Sequence, residues 1–264
     1  MNKIKILIGI VCILLTPSLL FARKQGDSIQ VMFIGNSYTY YHQMPEIIKE
    51  IAATQEMNIT YTAFYPGGAR LKGHLENQEL IQAIKKGKWD YVVIQEQSSA
   101  PAMPGRHVAQ HVYPAAQTLD SLIHTHNKTA KVIFYMTWGH KDGCQVPVEN
   151  YPLINTYEGM QERLKISYLE MTYQNNAWCA PVGMAWKQVR RERPDYILYW
   201  PDRSHPSVLG SYLAANVIFA TIYQKPYQTN ITKEIPPEQA EYIQQVAQQT
   251  VFNNFELLNI KQEK

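Results

Sequence analysis

Charge and cysteine are both scarce in this sequence. Of its 264 residues, 18% are charged and three are cysteine, and the formal net charge is +3. So few charged residues exclude a disordered or coiled-coil chain. The small net charge does not indicate the strongly basic surface of a nucleic-acid-binding protein. Its 13 glycines and 15 prolines are too few for a collagen-like or low-complexity chain. A chain of this length buries a full core without disulfides or metals, so the composition predicts a globular protein with one large domain.

The motifs of metal and nucleotide sites are also missing. The sequence has no C-x-x-C pair. His107 and His111 have the spacing of zinc-binding histidines, but the glutamate of an H-E-x-x-H motif is absent, which favours a polar helix face. Gly67 and Gly68 are not followed by the Lys-Ser or Lys-Thr pair of a phosphate-binding loop. The sequence therefore predicts neither a metal nor a cofactor.

The first 22 residues differ in character from the rest of the chain. Two lysines precede a run without charge over residues 6–22, and polar residues follow Ala22 directly. This order is typical of a secretory signal. A membrane anchor is the alternative, but the run contains Pro17 and is shorter than the roughly 20 apolar residues of a good span. We therefore expect residues 1–22 to be a signal peptide. Residues 23–264 are then one domain, exported to the periplasm or the extracellular space, with no membrane span.

Two cysteines remain once such a signal is removed. Cys144 and Cys179 are then an even pair, and an oxidising compartment allows such a pair to form a disulfide. Two thiols, with Cys179 buried in a strand, are the alternative, because spacing alone does not determine pairing. Both outcomes stay open at this point.

Short apolar runs alternate with helical patterns along the chain. The runs predict five strands, and the apolar spacing between them predicts helices. Strands that are apolar throughout indicate a parallel sheet covered on both faces. We therefore predict a flavodoxin-like three-layer α/β/α sandwich with a five-stranded parallel sheet, followed by a C-terminal helical extension. The predicted strands are 30–34, 59–65, 91–94, 131–136 and 177–182, the helices are 45–54, 77–86, 108–124, 157–173 and 208–223, and the extension covers about 236–260.

Chemistry-bearing residues follow the predicted strands, where sites form in parallel sheets. Ser37 lies just after the first strand and before a helix, where backbone N–H groups stabilise negative charge. Asp202 precedes His205 by three residues on a turn bounded by prolines. A carboxylate so close holds an imidazole in one tautomer, and that imidazole can accept a serine proton. A helix cap for the serine and a surface turn for the other pair are the alternatives.

Together, the Gly-x-Ser-x-Thr segment at the first strand and the Asp-x-x-His segment before the last domain helix resemble the SGNH hydrolase superfamily, the GDSL-type esterases. The resemblance implies that Ser37 is the nucleophile and that Asp202 and His205 complete the triad. It also places the oxyanion-hole glycine after the second strand, where Gly68 is favoured and Gly67 is the alternative. Position 36 departs from the family's usual aspartate, because it is asparagine.

The segment after the third strand departs further from that family. The usual Gly-x-Asn-Asp, whose asparagine amide completes the oxyanion hole, is replaced by Gln-Glu-Gln-Ser at 95–98. A glutamine amide offers the same two N–H donors on a longer stem. The segment looks like the Gln-Gly-Glu element of sialate O-acetylesterase-like enzymes, which favours Gln95 as the third donor, with Gln97 as the alternative.

The resemblance implies a serine esterase that works through an acyl-enzyme. Its partner is then an ester substrate, and it binds no nucleic acid. Aromatic residues beside the motifs, namely Tyr38, Trp138 and Trp200, are candidates for stacking on sugar rings, although the two tryptophans can equally be core residues. We therefore expect a carbohydrate O-acetylesterase. A lipid or thioester hydrolase of the same fold and a non-catalytic carbohydrate-binding relic are the alternatives.

Overall fold

The computed structural model describes residues 28–144 and 148–261, so the predicted signal peptide lies outside the described residues. Five strands form one parallel sheet in the order β2-β1-β3-β4-β5. This is the flavodoxin-like order, as predicted. The strands are β1 (Ile29–Ile34), β2 (Ile59–Phe64), β3 (Tyr91–Ile94), β4 (Lys131–Tyr135) and β5 (Trp178–Ala180).

Helices cover both faces of the sheet, which confirms the three-layer sandwich. Helices α2, α9 and α10 pack together on one side, and α4, α6 and α7 pack on the other. The helices are α1 (Ser37–Tyr40), α2 (Met44–Ala53), α3 (Leu71–His74), α4 (Gln78–Lys85), α5 (Gly105–His111), α6 (Tyr113–His126), α7 (Tyr157–Gln174), α8 (Val182–Glu192), α9 (Val208–Tyr223) and α10 (Pro237–Phe252). No described helix is both long enough and apolar enough to cross a bilayer.

Local sequence explains where these elements begin and end. Helix α2 has Pro45 in its first turn, and its stripe of Ile47, Ile48 and Ile51 is buried against the sheet. The predicted helix 108–124 is instead two helices, because α6 starts at Tyr113 with Pro114 in its first turn.

The C-terminal part of the chain belongs to the same core. Helix α10 ends at Phe252, earlier than the predicted 260, and turns follow it. Helix α9 is buried over almost its whole length, which explains why its sequence is apolar on all sides. Because α10 packs on the outer side of α9, it completes the layer.

The order of the strands locates the functional edge of the sheet. The chain leaves β1 for β2 on one side and returns to β3 on the other, so the direction of winding reverses between β1 and β3. Ligands of such sheets bind in the crevice at the carboxyl ends of the two strands on either side of this point. Ser37 follows β1 and Gln97 follows β3.

Candidate active site

The serine lies on a tight turn between β1 and α1. Asn36 caps α1, because its side-chain oxygen accepts the N–H of Tyr38 at 3.1 Å. A Cβ added at Gly35 would approach Thr39 Oγ1 to 2.4 Å, so only glycine fits before the cap. Ser37 is therefore the first residue of α1, with its N–H at the positive end of the helix.

A chain of hydrogen bonds connects Ser37, His205 and Asp202. Ser37 Oγ lies 2.8 Å from His205 Nε2, and His205 Nδ1 lies 2.5 Å from Asp202 Oδ2. The other carboxylate oxygen, Oδ1, accepts the N–H groups of Ser204 at 3.0 Å and of His205 at 2.9 Å. The structure thus brings together the three residues that the sequence singled out.

The carboxylate of Asp202 is held in its charged form. Partial burial alone would raise its pKa, but the two backbone N–H groups and the imidazole outweigh burial and keep the pKa below its usual value. A charged carboxylate at Nδ1 favours the tautomer that carries its proton there. His205 Nε2 then faces the Ser37 hydroxyl as a proton acceptor.

The loop after β2 brings a second backbone donor to the serine. Gly67 and Gly68 line the same cavity as Ser37, and Gly68 has a φ of +68°, a conformation that favours glycine. Asn36 Nδ2 donates to the Ala69 carbonyl at 2.9 Å and so fixes this loop beside the serine. No described group accepts the N–H of Ser37 or of Gly68. Both donors are therefore available to an oxyanion.

The prediction that ranked Gln95 first as the third donor is wrong in its geometry. Gln95 is buried, and its Oε1 accepts the Asn36 N–H and the Thr39 hydroxyl, both at 3.0 Å. Its Nε2 donates one N–H to the carbonyl of Glu96. Gln95 does not line the cavity and instead holds the serine turn in place.

Gln97, the alternative, does line the cavity. Its Oε1 accepts the N–H groups of Ser99 and Ala100 at 3.0 Å each, so the amide nitrogen points the other way. Nε2 donates to Ser98 Oγ at 3.2 Å, and His140 Nε2 lies 3.3 Å from the same hydroxyl. One N–H of Gln97 is thus placed by Ser98, and the second has no described acceptor.

Glu96, between these glutamines, joins the loops after β2 and β3. Its carboxylate accepts the N–H of Gln97 at 2.6 Å and of Leu71 at 3.2 Å. Burial raises the pKa of Glu96 to about 7, against the effect of these two N–H groups. Sequence reasoning missed this role, although an acidic residue directly after an apolar strand was the available signal.

Of the three aromatic residues predicted to face substrate, Trp138 is a buried support, and Tyr38 is buried but lines the cavity at Ser37. Tyr38 is 2% exposed and Trp138 is fully buried, and their rings stack with centroids 4.5 Å apart. Tyr38 Oη lies 2.6 Å from Ser204 Oγ, and Trp138 Nε1 donates to the Ser204 carbonyl at 3.0 Å. They hold the residue next to His205, so the substrate prediction is wrong for Trp138.

Exposed aromatic side chains surround the serine instead. Tyr40 and Tyr41 line the cavity, and the ring of Tyr41 stacks on His205 with centroids 4.4 Å apart. Trp200 is 47% exposed and lies against Tyr41 with centroids 6.5 Å apart. We call Tyr40, Tyr41 and Trp200 the aromatic rim. The two tyrosines were missed, although they follow the serine within four residues.

The cavity at the serine is small and open to solvent. Its volume is about 330 Å³, near the lower end of the range for small-molecule sites. In the described residues, no group of three or more His, Cys, Asp or Glu side chains is arranged to hold a metal.

Cys144 and Cys179 are not joined by a disulfide. Both are described, and both carry buried thiols. Burial raises the pKa of Cys179 to about 12, which keeps this thiol protonated. The Cys144 backbone is held by an N–H bond to the Ile154 carbonyl, while Cys179 lies within β5. The disulfide considered from the sequence is therefore absent from this fold.

Solved structures with the same fold are known, although no protein-family model matches the sequence and no curated protein matches it either. A protein from Slackia heliotrinireducens assigned as an SGNH hydrolase is 28% identical, with a TM-score of 0.59 over 74% of this chain and all of its own. A DUF4886 family protein from Bacteroides uniformis is 18% identical, with a TM-score of 0.68 over 90% of this chain and 98% of its own. Axe2 from Geobacillus stearothermophilus, an acetyl xylan esterase, is 19% identical, with a TM-score of 0.53 over 77% and 99%.

The fold and the neighbour at 28% identity indicate the class of this protein. The five-stranded parallel sheet with flanking helices is the fold of the SGNH hydrolases. A carboxylic ester hydrolase is the class of enzyme consistent with both. The neighbours that are less than 25% identical show the fold alone, so the substrate is inferred from the residues of the site.

Proposed function

We propose that this protein is a serine esterase that removes O-acetyl groups from carbohydrate. One observation carries the proposal: the hydrogen-bond chain from Asp202 through His205 to Ser37 ends at a cavity with two available backbone donors. This is the arrangement that acyl transfer through a covalent intermediate requires.

In the first half of the reaction Ser37 Oγ attacks the carbonyl carbon of the ester while His205 Nε2 takes the serine proton. The negative charge that develops on the carbonyl oxygen is held by the N–H groups of Ser37 and Gly68 and by the Gln97 amide. Each such donor is worth about 3 to 4 kcal/mol in the transition state. When the intermediate collapses, the sugar hydroxyl leaves with the proton from His205, and Ser37 is left acetylated.

In the second half a water molecule replaces the sugar. His205 Nε2 takes a proton from this water, whose oxygen attacks the acetyl carbon. Collapse of the second intermediate returns the proton to Ser37 Oγ and releases acetate. Asp202 keeps its charge throughout and stabilises the imidazolium that forms in each half.

The shape of the site supports a short acyl group on a sugar. A cavity of about 330 Å³ suits an acetyl group with part of a sugar ring. The aromatic rim offers flat apolar faces of the kind that pack on pyranose rings, and Trp200 is its most exposed member.

We propose further that the protein is exported, with residues 1–22 removed as a signal peptide. The support is the charge and length pattern of the sequence alone. The mass of the protein purified from its natural host tests this proposal. A mature chain that starts near Arg23 is expected, and a chain with an intact N-terminus in the cytoplasmic fraction would contradict it.

Hydrolysis of chromogenic esters of increasing acyl length tests the activity. We expect the highest kcat/KM on the acetyl ester, acetate release from O-acetylated xylo-oligosaccharides, and an acetylated Ser37 peptide after rapid acid quenching. Ser37→Ala should lower kcat by about 10⁶. A preference for long acyl chains would favour a lipid hydrolase, and a wild-type rate no higher than that of Ser37→Ala would indicate a non-catalytic relic.

A further inference from the structure

A second cavity adjoins the turn that carries Asp202 and His205. Its volume is about 450 Å³, and it is lined mainly by residues 194–201, with Arg203 just beyond them and Lys141 and Arg190 from other parts of the chain. We call this cavity the basic cleft and define it by Lys141, Arg190, Trp200 and Arg203. None of these residues lines the cavity at Ser37.

The basic cleft has more positive than negative charge. Arg203 pairs with Asp142. Arg190 stacks on the ring of Tyr157 at 3.8 Å and donates to the Lys141 carbonyl at 3.2 Å, with no carboxylate partner among the described residues. No described residue pairs with the ammonium group of Lys141, which is exposed. The one acidic residue of the lining, Asp195, lies 3.6 Å from Arg193. Two cations are therefore left to attract an anion.

The basic cleft is built from the same turn as the triad. Lys141 N–H donates to the Arg203 carbonyl at 2.8 Å, and Arg203 N–H donates to the Trp200 carbonyl at 2.9 Å. Trp200 N–H in turn donates to the His205 carbonyl at 2.8 Å. Arg203 has a φ of +66°, a conformation that costs free energy for a residue with a side chain. The turn thus fixes the cleft relative to the catalytic imidazole.

Trp200 connects the basic cleft with the ester cavity. Its ring lines the cleft and also contacts Tyr41, which lines the cavity at Ser37. A glycan that passes over Trp200 therefore reaches both places. An aromatic face beside unpaired cations suits a sugar ring that bears a negative charge.

We propose that the basic cleft binds a hexuronate, a sugar whose carboxylate faces Lys141 and Arg190, within the glycan whose acetyl ester lies at Ser37. The proposal rests on the proposed function and adds a preference for acidic over neutral acetylated glycans. Lys141 and Arg190 are the specificity-determining residues, and they act on substrate affinity.

Calorimetric binding to the Ser37→Ala protein tests the proposal without turnover. The probes are an acetylated xylo-oligosaccharide with one glucuronate branch and the same compound after reduction of the carboxyl group to an alcohol. We expect about fivefold tighter binding of the acidic compound at low salt, the size typical of a partly exposed charge pair. Because exposed charges are screened, the preference should fall below about twofold in 0.5 M NaCl.

Reversing the charge of Lys141 tests whether this residue causes the preference for the acidic compound. Lys141→Glu in the Ser37→Ala protein should abolish the preference for the acidic compound. Lys85→Glu makes the same change at the end of α4 that leads into β3, the opposite edge of the sheet, and should leave the preference intact. Melting temperatures of both variants check that they are folded.

Three results would overturn the proposal: equal affinity for the two compounds, no binding of either, or a preference that survives Lys141→Glu. Failure of the proposed function is scored separately, because it appears as a lack of acetate release by the wild-type protein. A protein that releases acetate equally well from both compounds and binds them equally would retain its function and lose the cleft as a hexuronate site.

Discussion

Asn36 shows how one residue couples the serine to the oxyanion hole. Its side-chain oxygen caps α1, and its nitrogen donates to the Ala69 carbonyl next to Gly68. The aspartate usual at this position in the family that the sequence resembles can supply the cap but not the donor. Asparagine therefore performs a second task here, which the sequence alone did not indicate.

Asn36→Asp tests this coupling. We expect kcat on an acetyl ester to fall about tenfold, because the change removes a buried hydrogen bond and sets a carboxylate against a carbonyl oxygen, at a cost of about 1 to 2 kcal/mol. Asn77→Asp is the matched control, since Asn77 caps α4 with its oxygen alone. Initial rates and melting temperatures are the measurements, and equal effects at both positions would contradict the interpretation.

Replacing Gln97 by alanine should affect catalysis alone, whereas replacing Gln95 by alanine should affect both stability and catalysis. Gln97→Ala removes a donor to the transition state, so kcat should fall about 100-fold with little change in KM. Gln95→Ala leaves the Asn36 N–H and the Thr39 hydroxyl without their acceptor, so the melting temperature should fall along with activity. Steady-state kinetics and thermal unfolding separate the two. If Gln97→Ala keeps full kcat, the third donor is another group.

The sequence could not rank these glutamines correctly, and the reason is local. Gln95 was ranked first on the likeness of residues 95–98 to a Gln-Gly-Glu element, and extended backbone, in which residues two apart share a face, was expected to continue past Ile94. The strand β3 ends at Ile94, so the alternation stops before Gln95. The triad was predictable, because Ser37 and the Asp202–His205 pair each lie in a short motif. Tyr41 and Glu96 carry no such motif, and their roles depend on contacts with distant parts of the chain.

At the scale of elements, the strands were predicted well because burial on both faces leaves an apolar run. Four of them match the predicted ranges to within one residue. The fifth is shorter than predicted, since Pro181 interrupts it and α8 begins at Val182. Helix α8 was not predicted, and only its first residue, Val182, was assigned to that strand.

Glu96 joins two of these elements and should make stability depend on pH. The raised pKa, about 7 against 4.5 for an ordinary glutamate, means that the folded state holds this proton more tightly. The contribution of protonated Glu96 to the free energy of unfolding is therefore fully present below about pH 4.5, and it is lost as the pH rises through about 7. It is at most about 3 kcal/mol. Arg70 lowers this pKa, and the Tyr168 hydroxyl accepts the Glu96 N–H at 3.3 Å.

Urea unfolding of the wild type and Glu96→Gln between pH 4.5 and 8 measures this effect. The free energy of unfolding of the wild type should fall relative to that of the variant as the pH rises. Comparing the two proteins cancels the titration of buried histidines such as His74, whose pKa is lowered by burial. A difference that is constant with pH would show that folding does not raise the pKa of Glu96.

At the scale of the whole molecule, α10 decides whether the chain forms one cooperative unit. The sequence predicted a helical extension here but not what this glutamine-rich helix packs on. In the structure Gln244 Nε2 donates to the hydroxyl of Tyr212 on α9 at 3.0 Å, and Gln248 Nε2 donates to the Tyr227 carbonyl at 3.1 Å. Its glutamines thus bind the domain itself, and its apolar stripe closes the layer over α9.

Ile243→Ala tests the role of α10 in the fold. Ile243 is fully buried, so the change should lower the free energy of unfolding by about 2 to 4 kcal/mol through lost burial and the cavity left behind. Gln245→Ala, on the exposed side of the same helix, should change it by less than about 0.5 kcal/mol. Urea unfolding followed by tryptophan fluorescence and by circular dichroism should give one coincident transition for each variant, because α10 unfolds together with the sheet. An Ile243→Ala protein with wild-type stability, or with a separate early transition, would show that α10 is only loosely docked.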